Sequence, residues 1–140
     1  NMFAHALPIV LEKTNTTYKT ESVKYAYNSG QFTIFAASAD LSGKNFGTMD
    51  LSNAIFDNAD LIEANFSDTG LSEASLKRSK LTGAIFKRSV LYRATLAGAD
   101  ISYANFTNAK MYRCILRDCK ITGAIFKGAA LHKVLWPSPK

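Results

Sequence analysis

The chain has 140 residues and a mass of 15.3 kDa, which is the usual size of one domain. Hydrophobic residues make up 47% and charged residues 20% of it, a composition too apolar for a disordered chain. The net charge is +6, no apolar run approaches the roughly 20 residues of a membrane span, and two cysteines are too few for a disulfide-framework scaffold or a four-thiolate zinc site.

Residues 1–38 are predicted to form an N-terminal capping segment that is helical first and then extended. Met2–Lys13 is apolar and predicts a helix that Pro8 divides into two short pieces. Thr20–Asn28 predicts a second helix because it has a polar start and is followed by Ser and Gly, and Gln31–Ala37 alternates as a strand does. The end of a repeat array exposes unpaired backbone, so we expect this segment to cover the first coil; the alternative is an arm that binds a partner.

The remainder of the chain repeats every five residues. From Leu41 to Trp136, every fifth residue is large and apolar, and a small residue, usually Ala, precedes most of these positions by two. A helix needs an apolar spacing near 3.6 residues and a strand needs 2, so a period of five fits neither element. We therefore predict a coil in which each five-residue unit turns one large and one small side chain inward.

A second period of twenty residues lies inside the first. Phenylalanine recurs at this spacing, and the other three tracks of large residues are mainly Leu and Ile. Four units therefore make one turn, and like side chains stack on like. The predicted structural core is an aromatic column of Phe46, Phe66, Phe86, Phe106 and Phe126.

The units Ala59–Glu63, Ala64–Asp68 and Ala99–Tyr103 follow the pattern Ala-(Asp/Asn)-(Leu/Phe/Ile)-x-x. This pattern resembles the pentapeptide-repeat family, and the resemblance covers residues 39–138. It implies an all-β solenoid, a right-handed quadrilateral β-helix of about five coils, with residues 139–140 as a tail. At a spacing of about 4.8 Å between strands, five coils make a rod roughly 24 Å long.

The formal charge is distributed unevenly along the chain. Residues 1–76 hold four basic and nine acidic side chains, whereas residues 77–140 hold thirteen basic and two acidic ones. Sequence order is axial position in a solenoid, so the two ends of the rod have opposite charge. The basic half is either a solvated, partly self-paired surface or a surface that attracts an anionic partner.

The candidate interaction surface lies in this basic half. At a spacing of twenty residues, aromatic rings and cations form two neighbouring outward tracks, which is consistent either with a self-stacking ladder or with a binding surface. The candidate residues are Tyr92, Arg93, Tyr112, Arg113, Arg117, Lys127, His132 and Lys133.

Cys114 and Cys119 occupy the small inward position of neighbouring units. They are either core residues that replace Ala or a disulfide across the coil, which would indicate an oxidising compartment. No metal site is expected, because two cysteines without a nearby His are an incomplete ligand set. No catalytic motif is present, so we expect neither an enzyme nor a cofactor.

The leading hypothesis is a non-catalytic protein-interaction or scaffold module that binds an anionic protein through its basic half, as a monomer or an end-to-end dimer without membrane insertion. Two alternatives stay open: the resemblance also implies a DNA mimic that binds topoisomerases, and the basic face and net charge of +6 permit a direct nucleic-acid binder. An acidic surface would be required for the first, and a base-reading element for the second. Resemblance to small pentapeptide-repeat proteins of cyanobacteria and plants implies the thylakoid lumen of the chloroplast as the compartment.

Overall fold

A computed structural model describes residues 23–28 and 31–139. Strands β1 (Lys24–Asn28) and β2 (Gln31–Phe35) form an antiparallel hairpin in which Lys24 pairs with Phe35. The predicted helix over Thr20–Asn28 is therefore wrong from Lys24 onward, and the part of the chain that the structure describes contains no helix. The strand predicted from Gln31 is present. The helix predicted over Met2–Lys13 lies outside the described residues.

The sequence explains why β1 is a strand. Tyrosine alternates with smaller residues in Lys-Tyr-Ala-Tyr-Asn, and aromatic residues favour strands. Only two residues, Ser29 and Gly30, separate β1 from β2 in the sequence, a spacing typical of a tight hairpin. A Gly-containing dipeptide that can end a helix can equally join two strands.

The chain continues from β2 into a solenoid with a repeat of twenty residues. Parallel bridges join each residue on the flat part of a coil to the residue twenty positions later, from Phe35↔Ile55 to Ile115↔Leu135. The Phe86 amide donates to the Asn105 carbonyl of the next coil at 2.7 Å, and the Ile85 amide donates to the Ala64 carbonyl of the previous coil at 2.9 Å. The backbone of each coil is thereby satisfied by its two neighbours.

Each five-residue unit contains one β-turn, so every coil has four corners. At one such turn, the Ala54 amide donates to the Leu51 carbonyl at 3.0 Å and Asn53 has a φ of 65°. Positive φ at the third residue of a turn defines type II geometry. Among residues 23–28 and 31–139, fourteen residues other than glycine have a positive φ, and all fourteen lie at such corners.

The Asp or Asn of the repeat motif has a specific task in these turns. The amide at the start of each turn does not take part in the ladder between coils. The side-chain oxygen of Asn65 accepts a hydrogen bond from the Ser67 amide at 2.9 Å, and Asp100 accepts one from the Ser102 amide at 3.0 Å. The same bond recurs at Asp40, Asn45, Asp50, Asp60 and Asn105. Short polar side chains of this kind stabilise turns by bonding to nearby backbone.

The large and small inward residues form one continuous core along the solenoid. The phenylalanine column is stacked, with centroid separations of 4.6, 5.0, 4.7 and 5.1 Å between successive rings from Phe46 to Phe126. The hydroxyls of two inward serines also have hydrogen-bond partners: Ser79 donates to the Leu76 carbonyl at 2.7 Å, and Ser89 donates to the Phe86 carbonyl at 2.8 Å. The Trp136 ring packs edge-on against Phe126 and remains 41% exposed.

Candidate interaction surface

The repeat places each outward residue of the solenoid either on one of its flat sides or at one of its corners. We call Tyr92, Arg93, Tyr112, Arg113, His132 and Lys133 the aromatic corner, because they occupy one corner in three successive coils. The preceding corner in the same coils carries Lys87, Arg88 and Lys127, and we call these three residues the lysine corner. The flat side between the two corners carries Val90, Lys110 and Ala130, which are joined by bridges.

Rings and cations are in contact at the aromatic corner. The Tyr112 and His132 rings stack at 5.1 Å with an interplanar angle of 21°, and the Arg113 guanidinium carbon lies 5.4 Å from the Tyr112 ring centroid. The latter is a cation–π contact. The Arg113 guanidinium beside Tyr112 lowers the pKa of its phenol, and the charges of Lys133 and Arg93 act in the same direction.

The sequence left a self-stacking ladder and a binding surface as alternatives, and the corner has features of both. Tyr112 and His132 stack on each other, as a ladder requires. Tyr92 makes no ring contact within the described residues and is 43% exposed. Arg93, Arg113 and Lys133 are also exposed, so their charges face the solvent.

Charge is concentrated on one side of the third to fifth coils, residues 79–138. We call the two named corners and the flat side between them the basic side. It carries no acidic residue in these coils and seven cationic ones: Lys87, Arg88, Arg93, Lys110, Arg113, Lys127 and Lys133. The opposite side of the same coils carries three cationic and two acidic residues: Lys80, Asp100, Arg117, Asp118 and Lys120.

Two of the candidate residues do not share one surface. Lys127 lies at the lysine corner, whereas Arg117 lies at the corner beyond the aromatic one, diagonally across the coil. A single flat partner cannot cover both residues. The structure brings the other six candidates together at the aromatic corner.

Three cations of the basic side were not among the candidate residues. Lys87, Arg88 and Lys110 become neighbours of the aromatic corner only when the corners are placed in order around the coil. The sequence contains that signal, since the positions of Asp, Asn and Gly mark each turn. Arg88 is also paired: its Nε and a terminal nitrogen donate to the two Asp68 carboxylate oxygens at 2.8 and 3.1 Å. That pairing lowers the pKa of Asp68 and raises the pKa of Arg88.

The proposed disulfide is not present in the structure. Cys114 and Cys119 are free thiols, and both are buried. The Cys119 thiol donates to the Leu96 carbonyl at 3.0 Å. Burial raises the pKa of Cys114 to about 12 and that of Cys119 to about 11, so both thiols are protonated at neutral pH.

Within residues 23–28 and 31–139, no group of three or more His, Cys, Asp or Glu side chains is placed to hold a metal ion. Among these same residues no helix has the length and apolar character that crossing a bilayer requires.

Comparison with known proteins identifies the class to which this architecture belongs. The family model for pentapeptide repeats matches eight copies over residues 37–68, 71–102 and 99–135. The chain therefore belongs to the pentapeptide-repeat family. No curated protein sequence is significantly similar to it.

Solved structures of pentapeptide-repeat proteins are similar to the chain. One from Nostoc Pcc 7120 is 21% identical with a TM-score of 0.58, over 76% of each chain, and shows the same fold. Rfr23 from the cyanobacterium Cyanothece 51142 is 27% identical with a TM-score of 0.47, over 62% of this chain and 63% of its own. A protein from the Arabidopsis thaliana thylakoid lumen is 32% identical with a TM-score of 0.37, over 59% of this chain and 61% of its own. The match spans less than two thirds of the Rfr23 chain.

Proposed function

We propose that the protein is a non-catalytic interaction module whose basic side contacts an anionic region of a partner protein. The observation that carries this proposal is the asymmetry of charge in the third to fifth coils: seven cations and no acid on one side, three cations and two acids on the other. A solvated surface without a partner has no need to separate its charges in this way. Complementary charge also steers encounter and excludes wrong partners.

Affinity capture from the source cells with paired variants tests this proposal. The first variant, Arg93→Asn/Arg113→Asn/Lys133→Asn, removes three charges from the aromatic corner, where Asn tolerates the positive φ of these positions. The control, Lys80→Asn/Arg117→Asn/Lys120→Asn, removes three charges from the opposite side. We expect the first variant to lose the protein captured by the wild type and the control to retain it. Equal recovery with both variants would contradict the proposed surface.

The alternative of a DNA mimic is less well supported, because such a mimic presents an acidic surface and this solenoid has a cationic side. We expect no effect of the protein on DNA supercoiling by a type II topoisomerase. Inhibition or drug protection that depends on dose would favour the alternative.

For the compartment, we propose the thylakoid lumen of a chloroplast, on the resemblance that the repeat sequence bears to small lumenal pentapeptide proteins. Free thiols at Cys114 and Cys119 give this location no additional support. Immunodetection in fractionated thylakoids, with protection from added protease until the membranes are lysed, is the expected result. Signal confined to another fraction would reject the lumen.

A further inference from the structure

The basic side consists of a flat side between two corners that carry cations, and we call this arrangement, which runs along the axis of the solenoid, the trough. Its floor is the flat side between the two corners, where Val90 and Ala130 are short and only Lys110 is long. Its walls are the lysine corner and the aromatic corner. The aromatic corner carries a cation in each of the three coils, whereas the lysine corner carries cations in the third and fifth coils and Thr107 and Asn108 in the fourth. The floor is thus bordered by cations on both edges in the third and fifth coils, and on the aromatic edge alone in the fourth.

The dimensions of the trough suit a short extended segment. Each of the three coils forms one rung of the trough. Successive rungs are about 4.8 Å apart, as strands in a sheet are, so the trough spans roughly 10 Å along the axis. An extended peptide rises about 3.3 Å per residue and directs successive side chains to opposite sides. Three or four residues therefore span the trough, and their side chains alternate between its two walls.

Charge on both walls determines which side chains such a segment needs. Carboxylates directed to one side meet the Arg93, Arg113 and Lys133 charges, and those directed to the other side meet Lys87 and Lys127. The strands of the solenoid run across the trough, so a segment along the axis lies perpendicular to them and cannot add to the sheet. Recognition must then come from side chains alone.

The stacked pair of aromatic rings favours a peptide over a single-stranded nucleic acid. Bases bind to proteins of that class by stacking on exposed aromatic faces. The facing surfaces of Tyr112 and His132 cover each other at 5.1 Å, so no base can enter between them, and Tyr92 is the one ring of this corner without a ring contact among the described residues. Their polar edges remain on the wall, where a tyrosine hydroxyl can donate a hydrogen bond to a carboxylate.

We propose that the trough binds an extended acidic peptide segment that lies along the solenoid axis, with successive carboxylates alternating between the aromatic corner and the lysine corner. This proposal rests on the proposed function, and it adds the conformation and the charge pattern of the partner region.

Two fluorescein-labelled peptides of equal length and charge test the alternation. In a peptide of repeated Glu-Glu-Gly-Gly, an extended chain directs carboxylates to both walls; in one of repeated Glu-Gly, it directs all of them to one wall. By fluorescence anisotropy in low-salt buffer, we expect the first peptide to bind at least about threefold more tightly, since exposed ion pairs each contribute modestly. Equal affinity of the two peptides, or no binding of either, would overturn the proposal.

Two double variants test which surface of the protein produces the preference between the two peptides. Lys87→Gln/Lys127→Gln removes two charges from the lysine corner and is expected to abolish the preference between the peptides. Lys77→Gln/Arg117→Gln removes two charges from the corner beyond the aromatic one and is expected to leave the preference unchanged. Loss of the preference in both variants would overturn the assignment to the trough.

Two further probes separate the proposal from its competitors and from the proposed function. Tighter binding of an oligothymidylate of matched charge, or of vesicles containing anionic lipid, would replace the peptide with that class of partner. If capture of the cellular partner depends on the aromatic corner but the two peptides bind equally, the trough proposal fails and the proposed function stands. If the peptides differ as expected but capture is unaffected by the variants, the proposed function fails.

Discussion

Phe86 lies at the middle of the aromatic column, where its ring is fully buried and stacks on Phe66 at 5.0 Å and Phe106 at 4.7 Å. Replacing it with Ala removes these contacts and leaves a cavity between two rigid coils. We expect Phe86→Ala to lower the free energy of unfolding by about 3–5 kcal/mol, measured by urea denaturation. Phe126→Ala is the matched control, because Phe126 is only partly buried and should cost less. Equal costs would mean that the column is not packed as described.

The two cysteines provide a second test at the level of single residues. Their thiols have raised pKa values in the fold, about 12 for Cys114 and about 11 for Cys119, against about 8.5 in an unfolded chain. We expect a thiol reagent at pH 8 to label neither residue in the native protein and both in denaturant. Rapid labelling of either thiol in the native protein would show that the site is open to solvent.

The same pKa shifts predict how stability depends on alkaline pH. Below the pKa that the thiols have in the unfolded chain, the folded and the unfolded protein both keep the thiol protons. The stability contributed by the buried, protonated thiols is then fully present. Above it the unfolded chain loses protons that the native chain retains, so stability falls as pH rises toward the folded values. Urea denaturation between pH 8 and the folded pKa values checks this, with Cys114→Ala/Cys119→Ala as control. The wild type should lose stability more steeply than the variant; parallel curves would contradict it.

At the scale of the element, the turn is the unit that fixes the path of the solenoid. Gly43 has a φ of 69° at its corner, and a Cβ there would meet no atom within 4 Å. Gly43→Ala therefore tests backbone strain without a steric clash, and we expect a loss of about 1 kcal/mol in unfolding free energy. At Gly123, where φ is 68° and a Cβ would lie 2.5 Å from a Tyr103 ring carbon, the loss should be larger.

Gly70→Ala is the matched control for these turns. Gly70 lies on a flat side rather than at a corner, and a Cβ there would make its nearest contact with Asp50 at an ordinary 3.5 Å. We expect a change within about 0.5 kcal/mol of the wild type, by the same urea titration. If Gly43→Ala proved equally neutral, positive φ at the corner would not be a requirement of the turn.

At the scale of the whole molecule, the sequence predicted the regular part well and the irregular part poorly. The period of five identifies inward positions because each unit makes the same turn, and the period of twenty identifies the Phe46-to-Phe126 stack. β1 was missed, since the residues that end a helix also form a hairpin, and pairing with β2 decides between them. Arg117 and Lys127 were grouped by charge, although position around the coil places them on diagonal corners.

The distribution of charge over the whole solenoid leads to a prediction about salt. Arg93, Arg113 and Lys133 stand on successive rungs of one corner, about 4.8 Å apart, which is well inside the screening length of about 10 Å at 0.1 M salt. The acidic and basic halves attract each other over longer distances, so salt screens that attraction first and at low concentration. Repulsion between adjacent like charges should therefore dominate at moderate salt.

We expect the free energy of unfolding to rise when sodium chloride is increased from about 0.1 M to about 0.5 M, as followed by urea denaturation. Arg93→Asn/Arg113→Asn/Lys133→Asn removes the adjacent like charges and should flatten this dependence, whereas Lys80→Asn/Arg117→Asn/Lys120→Asn should not. A wild type that loses stability with salt would mean that attractive pairs such as Arg88–Asp68 outweigh the repulsion on the basic side. Repulsion between the like charges of the basic side lowers the stability of the native protein. An anion that binds this side reduces the repulsion and therefore stabilises the protein, because ligands that bind the native state add to its stability.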